Sequence, residues 1–168
     1  MDAEYGQVIL ASPREITNMI TWDQFLSVVD SKFGYLTKDF GFTLSSTVRP
    51  FATFESDKLK VSIYYDLSGS CELDVALRRI GDDPKRTKSV GIGVLKAFNE
   101  QSKSSAPMIS FPKTLGELEA RMTMLAGVLL VYGNDLLKGD LKDLETLRRK
   151  EAQAARALAI ETSNRLPN

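Results

Sequence analysis

The apolar positions follow two different periods along the chain. Over residues 22–39 they recur at helical spacing, behind Thr21 and Gln24, which form a capping-box pattern. Over residues 58–65 and 71–77 they alternate with polar residues, as in a strand with one buried face. We therefore predict an N-terminal helix followed by a pair of antiparallel strands.

Two further extended segments are predicted before this pair, at residues 42–48 and 51–55. Together the four segments favour an antiparallel meander over residues 42–80, with one apolar and one polar face. In the first segment, the residues predicted to share one face are Phe42, Leu44, Ser46 and Val48.

A short connection around Gly69 suits a three-residue hairpin with the glycine in the left-handed conformation. That hairpin would place Tyr65 opposite Cys71 and set the register of the last two strands. In this register Lys60 and Asp74 lie diagonally across the polar face.

Apolar residues return to helical spacing over residues 115–136, behind a second capping box at Thr114. Gly139 is predicted to end this helix, and Asp140 to cap a last helix over residues 141–163. The earlier helix is predicted to be buried on most sides, with a coiled-coil seam as the alternative, because its apolar stripe is widened by Met124, Val128, Leu130 and Val131.

These elements predict the α+β class. An N-terminal helix and a C-terminal helical hairpin should cover one face of an antiparallel sheet of about four strands. We divide the chain into an N-terminal arm (residues 1–20), an α+β domain (21–147) and a projecting end of the C-terminal helix (148–168).

The composition of the chain excludes several classes of catalytic and metal-binding site. The chain has no histidine, one cysteine and a formal net charge of zero. The missing histidine removes the usual serine and cysteine nucleophile sets and histidine-ligated metals, and one cysteine forms neither an intrachain disulfide nor a thiolate cluster. We therefore predict a cytoplasmic protein that is not an enzyme, needs no cofactor and has no membrane partner, with nucleic acid disfavoured as a ligand by the neutral charge.

One carboxylate group keeps a metal-dependent enzyme open as a lesser alternative. Asp82 and Asp83, together with Glu72 and Asp74, are of the residue type that holds Mg²⁺. Ordinary turn chemistry and solvated sheet positions explain the same residues, and we favour that interpretation.

Two surfaces are candidates for partner binding. The polar sheet face combines an aromatic side chain with both signs of charge, a mixture that interfaces favour, although an exposed tyrosine is also common without a partner. Its residues are Lys60, Tyr64, Glu72 and Asp74. The second surface is the densest basic run, which has a solvated loop as its alternative interpretation. It contains Arg78, Arg79, Lys85, Arg86 and Lys88, and the first four are predicted to bind a partner.

Several short motifs over residues 22–147 resemble a broad group of small stand-alone bacterial proteins, some of which look like immunity proteins of toxin systems. The residues that carry the resemblance are Phe40-Gly41-Phe42, Phe54-Glu55-Ser56, Tyr64-Tyr65-Asp66, Ser70, Glu72-Leu73-Asp74-Val75 and Leu136-Leu137-Lys138-Gly139-Asp140. These motifs are structural, so the resemblance implies a fold and transfers no catalytic residue.

The sequence therefore predicts a protein that acts by binding another protein, with an immunity-type inhibitor of a toxin or effector as the favoured interpretation. The alternative is an assembly or scaffold protein that forms homo-oligomers through its C-terminal helix.

Overall fold

The computed structural model describes residues 20–83, 85, 87–100 and 108–165, without the side chains of residues 154 and 157–165. The predicted arm, residues 1–20, lies outside the described residues except for Ile20. The helices are α1 Trp22–Phe33, α2 Tyr35–Phe40, α3 Ile92–Asn99, α4 Leu115–Tyr132, α5 Asn134–Leu137 and α6 Leu144–Arg165. The strands are β1 Thr43–Ser46, β2 Phe51–Glu55, β3 Leu59–Tyr65, β4 Leu73–Arg79 and β5 Val90–Gly91.

The strands form one antiparallel sheet in the order β1-β2-β3-β4-β5. The predicted α+β class is confirmed, with helices both before and after the sheet strands in the sequence. The sheet has five strands rather than four, because residues 90 and 91 pair with Ala76 and Leu77 of β4. A two-residue strand leaves no periodic pattern, so the sequence could not reveal it.

One face of the sheet is sealed against the helices. The alternate side chains of β3, and those of β4 as far as Leu77, that point to this face are fully or almost fully buried, and α1 and α4 pack against each other above them. The sheet residues at the centre of this core are Leu59, Val61, Ile63, Tyr65, Leu73, Val75 and Leu77. The core therefore lies on one side of the sheet, and the side chains on the opposite face of β3 and β4 are not part of it.

The β3–β4 register differs from the predicted one. Tyr65 pairs with Leu73 rather than with Cys71. The turn is wider because the carboxylate of Asp66 accepts hydrogen bonds from the backbone N–H and the hydroxyl of both Ser68 and Ser70, at 2.5–2.9 Å.

These hydrogen bonds hold the pKa of Asp66 well below its usual range. Cys71, with φ 56°, takes the positive φ predicted for Gly69. The register shift is two residues, so the same side chains stay on each face, but Lys60 now lies opposite Arg78 instead of diagonal to Asp74.

The first strand also differs. Leu44 pairs with Phe54, whereas Ser46 pairs with Thr53, so a bulge at Ser45 separates them. One extra residue in a strand moves the following side chains to the other face. The prediction that Leu44 and Ser46 share a face is therefore wrong: Leu44 lies on the core side, and Ser46 lies on the opposite side.

Each of the two long helices predicted from periodicity is divided by a glycine. The first breaks at Gly34 and the second at Gly133. A Cβ atom at residue 133 would lie 2.6 Å from the carbonyl oxygen of Leu129, so only glycine allows the backbone to tighten there. Both glycines sit inside runs of regular apolar spacing, which is why the sequence indicated unbroken helices.

Helix α4 has an exposed apolar side, contrary to the prediction that it is buried on most sides. Met124, Leu130 and Val131 are exposed, and Val131 keeps 68% of its surface accessible. Within the described residues, no helix is long and apolar enough to cross a membrane.

Candidate functional site

The face of the sheet opposite the core carries three parallel rows of side chains, defined by the strand pairing. The middle, small-residue row runs across all five strands and contains Ser46, Thr53, Ser62, Ala76 and Gly91. The charged row on one side contains Glu55, Lys60 and Arg78, and the aromatic–acid row on the other contains Phe51, Tyr64 and Asp74.

Small side chains between two rows of large ones create a groove, which we call the sheet groove. Its volume is about 550 Å³, and it is lined by Ser46, Val48, Arg49, Phe51, Thr53, Lys60, Ser62, Tyr64, Asp74, Ala76, Arg78 and Ser89. Residues four apart on a strand place the two walls roughly 13 Å apart. Thr53 on the floor is only 7% exposed, so the groove is deep at its centre.

The charged wall carries two cations, Lys60 and Arg78, and they differ in their ion pairs with the described residues. Lys60 Nζ lies 2.5 Å from a carboxylate oxygen of Glu55, its neighbour on β2. Arg78, opposite Lys60 on β4, makes no ion pair with any other described residue. Since two cations stand side by side, the Glu55 carboxylate relieves their repulsion and leaves Arg78 as the charge that faces the groove.

The opposite wall begins with exposed apolar surface. The rings of Phe51 and Tyr64 lie 5.3 Å apart between centroids, within the range of a favourable aromatic pair. Phe51 is 43% exposed and the nearby Val48 is 72% exposed. The guanidinium of Arg49 lies 5.6 Å from the Trp22 ring, which anchors the β1–β2 turn beside this wall.

The same wall ends in a carboxylate in an unfavourable setting. Burial, with a smaller contribution from the negative charge of Glu72, raises the pKa of Asp74 above its ordinary value. One hydrogen bond from the backbone N–H of Val75, at 2.8 Å, partly opposes this effect. The fold therefore holds a charge here at a cost to its own stability.

Helix α6 packs against β5, next to the end of the small-residue row. Gly91 N donates a hydrogen bond of 3.0 Å to Glu151, and a Cβ on Gly91 would lie 3.2 Å from that carboxylate. Burial, and then repulsion from Asp74, raise the pKa of Glu151. Arg148, one turn earlier on α6, forms an ion pair with Asp82 in the β4–β5 connection.

Four of the residues predicted to bind a partner meet in a single site. Lys60, Tyr64, Asp74 and Arg78 all line the sheet groove. Glu72 lies just before β4 and is close enough to contribute, after burial and Asp66, to a raised pKa of Tyr64. The polar sheet face and the start of the basic run are thus one surface.

The remainder of the basic run lies elsewhere. Arg79 points to the other side of β4 and lines a separate cavity with Lys58 and Gly139. Lys85 is exposed in the β4–β5 connection, where its backbone N–H donates to Asp83. Arg86 lies outside the described residues. Adjacent residues on a strand face opposite ways, so a run of basic letters did not predict one basic surface.

Sequence reasoning missed the residues that shape the groove. The floor residues Thr53, Ser62 and Ala76 carry no chemical signal individually. The available clue was their common size at matching positions of neighbouring strands, but it depends on a correct register. Phe51 was assigned to a strand without a predicted role.

No arrangement of three or more histidine, cysteine, aspartate or glutamate side chains suited to a metal occurs among the described residues. Of the four acids considered for Mg²⁺, Asp82 is paired with Arg148, and Asp74 lies on the groove wall.

Comparison of the chain with protein-family models, curated proteins and solved structures finds no match in any of the three.

Proposed function

We propose that this protein acts by binding another protein, and that the partner docks in the sheet groove. The observation that carries the proposal is the convergence of Phe51, Tyr64, Arg78 and Asp74 around a floor of small side chains. An aromatic pair beside an arginine that has no ionic partner within the described part of the chain combines residue types that contribute much to binding energy in protein interfaces.

The composition of the chain supports a binding role over a catalytic one. Without histidine, the chain lacks the side chain used most often for proton transfer near neutral pH. Asp74 supports the same role, because a carboxylate kept at a cost to stability is typical of functional surfaces.

Within this class we favour an immunity-type inhibitor that acts in the cytoplasm and masks the active surface of a toxin or effector. The support is the resemblance of residues 22–147 to small bacterial proteins of that kind, together with a groove that can accept a projecting segment of a partner.

The test is affinity purification of the tagged, full-length protein from its native cell, followed by mass spectrometry. Ser62→Trp should fill the groove floor and abolish recovery of the partner. Thr37→Trp, a matched change at an exposed position on α2, should leave recovery unchanged.

An inhibitor further predicts that the recovered partner is toxic when it is expressed alone. Co-expression of the wild-type chain should restore growth, and co-expression of Ser62→Trp should not. Recovery of only nucleic acid or a small ligand would contradict the proposal, as would a partner retained by a folded Ser62→Trp variant.

Self-association is a second candidate, favoured by the exposed apolar side of α4 at Met124, Leu130 and Val131. It extends the prediction of a scaffold that assembles through the C-terminal helix. Sedimentation of the full chain, of Val131→Glu and of a chain ending at residue 152 would separate the two helices. This truncation keeps Arg148 and Glu151, which hold α6 against the sheet. A wild-type monomer would exclude this candidate.

A further inference from the structure

The sheet groove is asymmetric, and its asymmetry specifies what it can bind. Over β2 and β3 its aromatic–acid wall presents Phe51 and Tyr64, which offer apolar surface. Over β4 the two walls present opposite charges, Arg78 on one side and Asp74 on the other. A ligand therefore meets apolar surface at one corner and a cation at the diagonally opposite corner.

We infer that the groove recognises an extended segment of a partner protein in which an acidic side chain pairs with Arg78 and an apolar side chain packs against Phe51 and Tyr64. This inference rests on the proposed binding function and specifies the chemistry of the partner.

The charge requirement follows from the surroundings of Arg78. Lys60 forms an ion pair with Glu55, whereas Arg78 has no ionic partner among the described residues. A carboxylate can accept two hydrogen bonds from a guanidinium, and this geometry adds specificity as well as affinity. The same carboxylate at the other wall would meet Asp74, so the acidic side chain has one favourable position.

The apolar requirement follows from exposure. Phe51 and Val48 both keep large accessible surfaces, although the opposite face of the neighbouring strand β3 is buried. An aliphatic or aromatic side chain placed here removes apolar area from water on both molecules.

The distance between the two corners sets the spacing. Arg78 is four residues along the sheet and one or two strands across from the aromatic pair. Strand spacings of about 4.8 Å and a rise of about 3.3 Å per residue put these positions roughly 14–16 Å apart. In an extended segment, the acidic and apolar residues should therefore be separated by about three to five positions.

The experiment is selection of a displayed library of random 12-residue peptides on the full-length protein. Wild-type protein should enrich peptides with an acidic residue about three to five positions from an apolar one. Arg78→Glu should weaken these peptides by about tenfold or more and select a basic residue at the same position.

Arg79→Glu is the matched control, because it is the same charge change on the next residue of β4 and faces the other side of the sheet. It should recover the same peptides as wild type. Tyr64→Ala should reduce the preference for the apolar residue and leave the acidic preference intact. Thermal unfolding of each variant confirms that it is folded.

The outcomes separate this inference from the proposed function. If Ser62→Trp abolishes binding while Arg78→Glu leaves the peptide consensus unchanged, the groove binds a partner but the acidic specificity is wrong. Peptides insensitive to both substitutions bind elsewhere and overturn both proposals. The inference also fails if no peptide is enriched above background, or if Arg79→Glu weakens binding as much as Arg78→Glu.

Discussion

The two faces of the sheet are built from the same strands, but one face forms the packed core and the other forms the groove. On the core face, Val61, Ile63 and Val75 are fully buried under the helices and fill their space with apolar volume. On the groove face, the intervening Ser62 and Ala76 are too small to fill theirs, and larger side chains stand on both sides of them. The difference teaches that stability and recognition are placed on alternate residues of one strand.

The largest expected effect is a difference in the free energy of unfolding between substitutions at two neighbouring residues of β3. Ile63→Ala should lower the free energy of unfolding by about 2–5 kcal/mol, because it leaves a cavity in a packed core. Ser62→Ala should change it by less than about 0.5 kcal/mol. Urea unfolding of both variants measures the comparison, and equal losses would show that the groove face is also part of the core.

The attachment of α6 to the β5 side of the sheet gives the next effect. Arg148→Ala should cost about 1–3 kcal/mol, because it removes a charge-assisted contact and leaves Asp82, whose side chain is 19% exposed, without its partner. Arg149→Ala should cost almost nothing, because the Arg149 side chain is 75% exposed. Equal stabilities of the two variants in thermal unfolding would contradict the assigned role of Arg148.

Two adjacent tyrosines test the two faces with one chemical change. The Tyr65 hydroxyl is buried and donates to Pro112 O at 2.8 Å, so Tyr65→Phe should cost about 1 kcal/mol. No comparable buried hydrogen bond is assigned to Tyr64 among the described residues, and Tyr64→Phe should be nearly neutral. Chemical unfolding of the two variants provides the measurement, and a larger loss for Tyr64→Phe would reverse the assignment of the faces.

The same pair has a pH signature. Burial above all raises the pKa of Tyr65 to about 12. The unfolded chain loses this proton first, so Tyr65 should lower the stability of the wild type as pH rises from about 10 towards 12. Tyr65→Phe should lack this component, and ultraviolet titration of the wild type minus the variant should show one late phenol ionisation.

The smallest effect should have the opposite sign. The pKa of Asp74 is raised in the fold, so its ionised form opposes folding at neutral pH. Asp74→Asn keeps an oxygen that can accept from Val75 and should stabilise the protein at pH 7, by less than about 1 kcal/mol. The gain should shrink as pH falls through the folded pKa towards the ordinary one, where the wild-type carboxyl is also protonated. A destabilised variant in calorimetric scans at pH 7 would refute this account.

The sequence predicted the elements that follow a periodic or recurring pattern, and it missed irregular features that occur at a single position. Alternation over β3 and β4 located both faces, and two capping boxes located the starts of α1 and α4, both observed as predicted. The turn at Asp66, the bulge at Ser45 and the break at Gly133 each depend on local geometry at one place in the chain. Such contacts add no period to the pattern.

The sequence predicted only part of the candidate site, because alternation reveals the face of a residue but not its partner on the next strand. Lys60, Tyr64 and Asp74 were placed on one face because face depends only on parity, which a two-residue register shift preserves. The groove itself depends on which residues are opposite one another. An error of two residues hid the alignment of Ser62 with Ala76, and with it the floor.

The alternation of core and groove residues has an evolutionary consequence. Because Lys60, Tyr64 and Asp74 are each followed by a core residue that points the other way, substitutions there that change partner choice need not disturb folding. A gene duplicate could therefore exchange its wall side chains and acquire a new binding partner while it inherits the same scaffold intact.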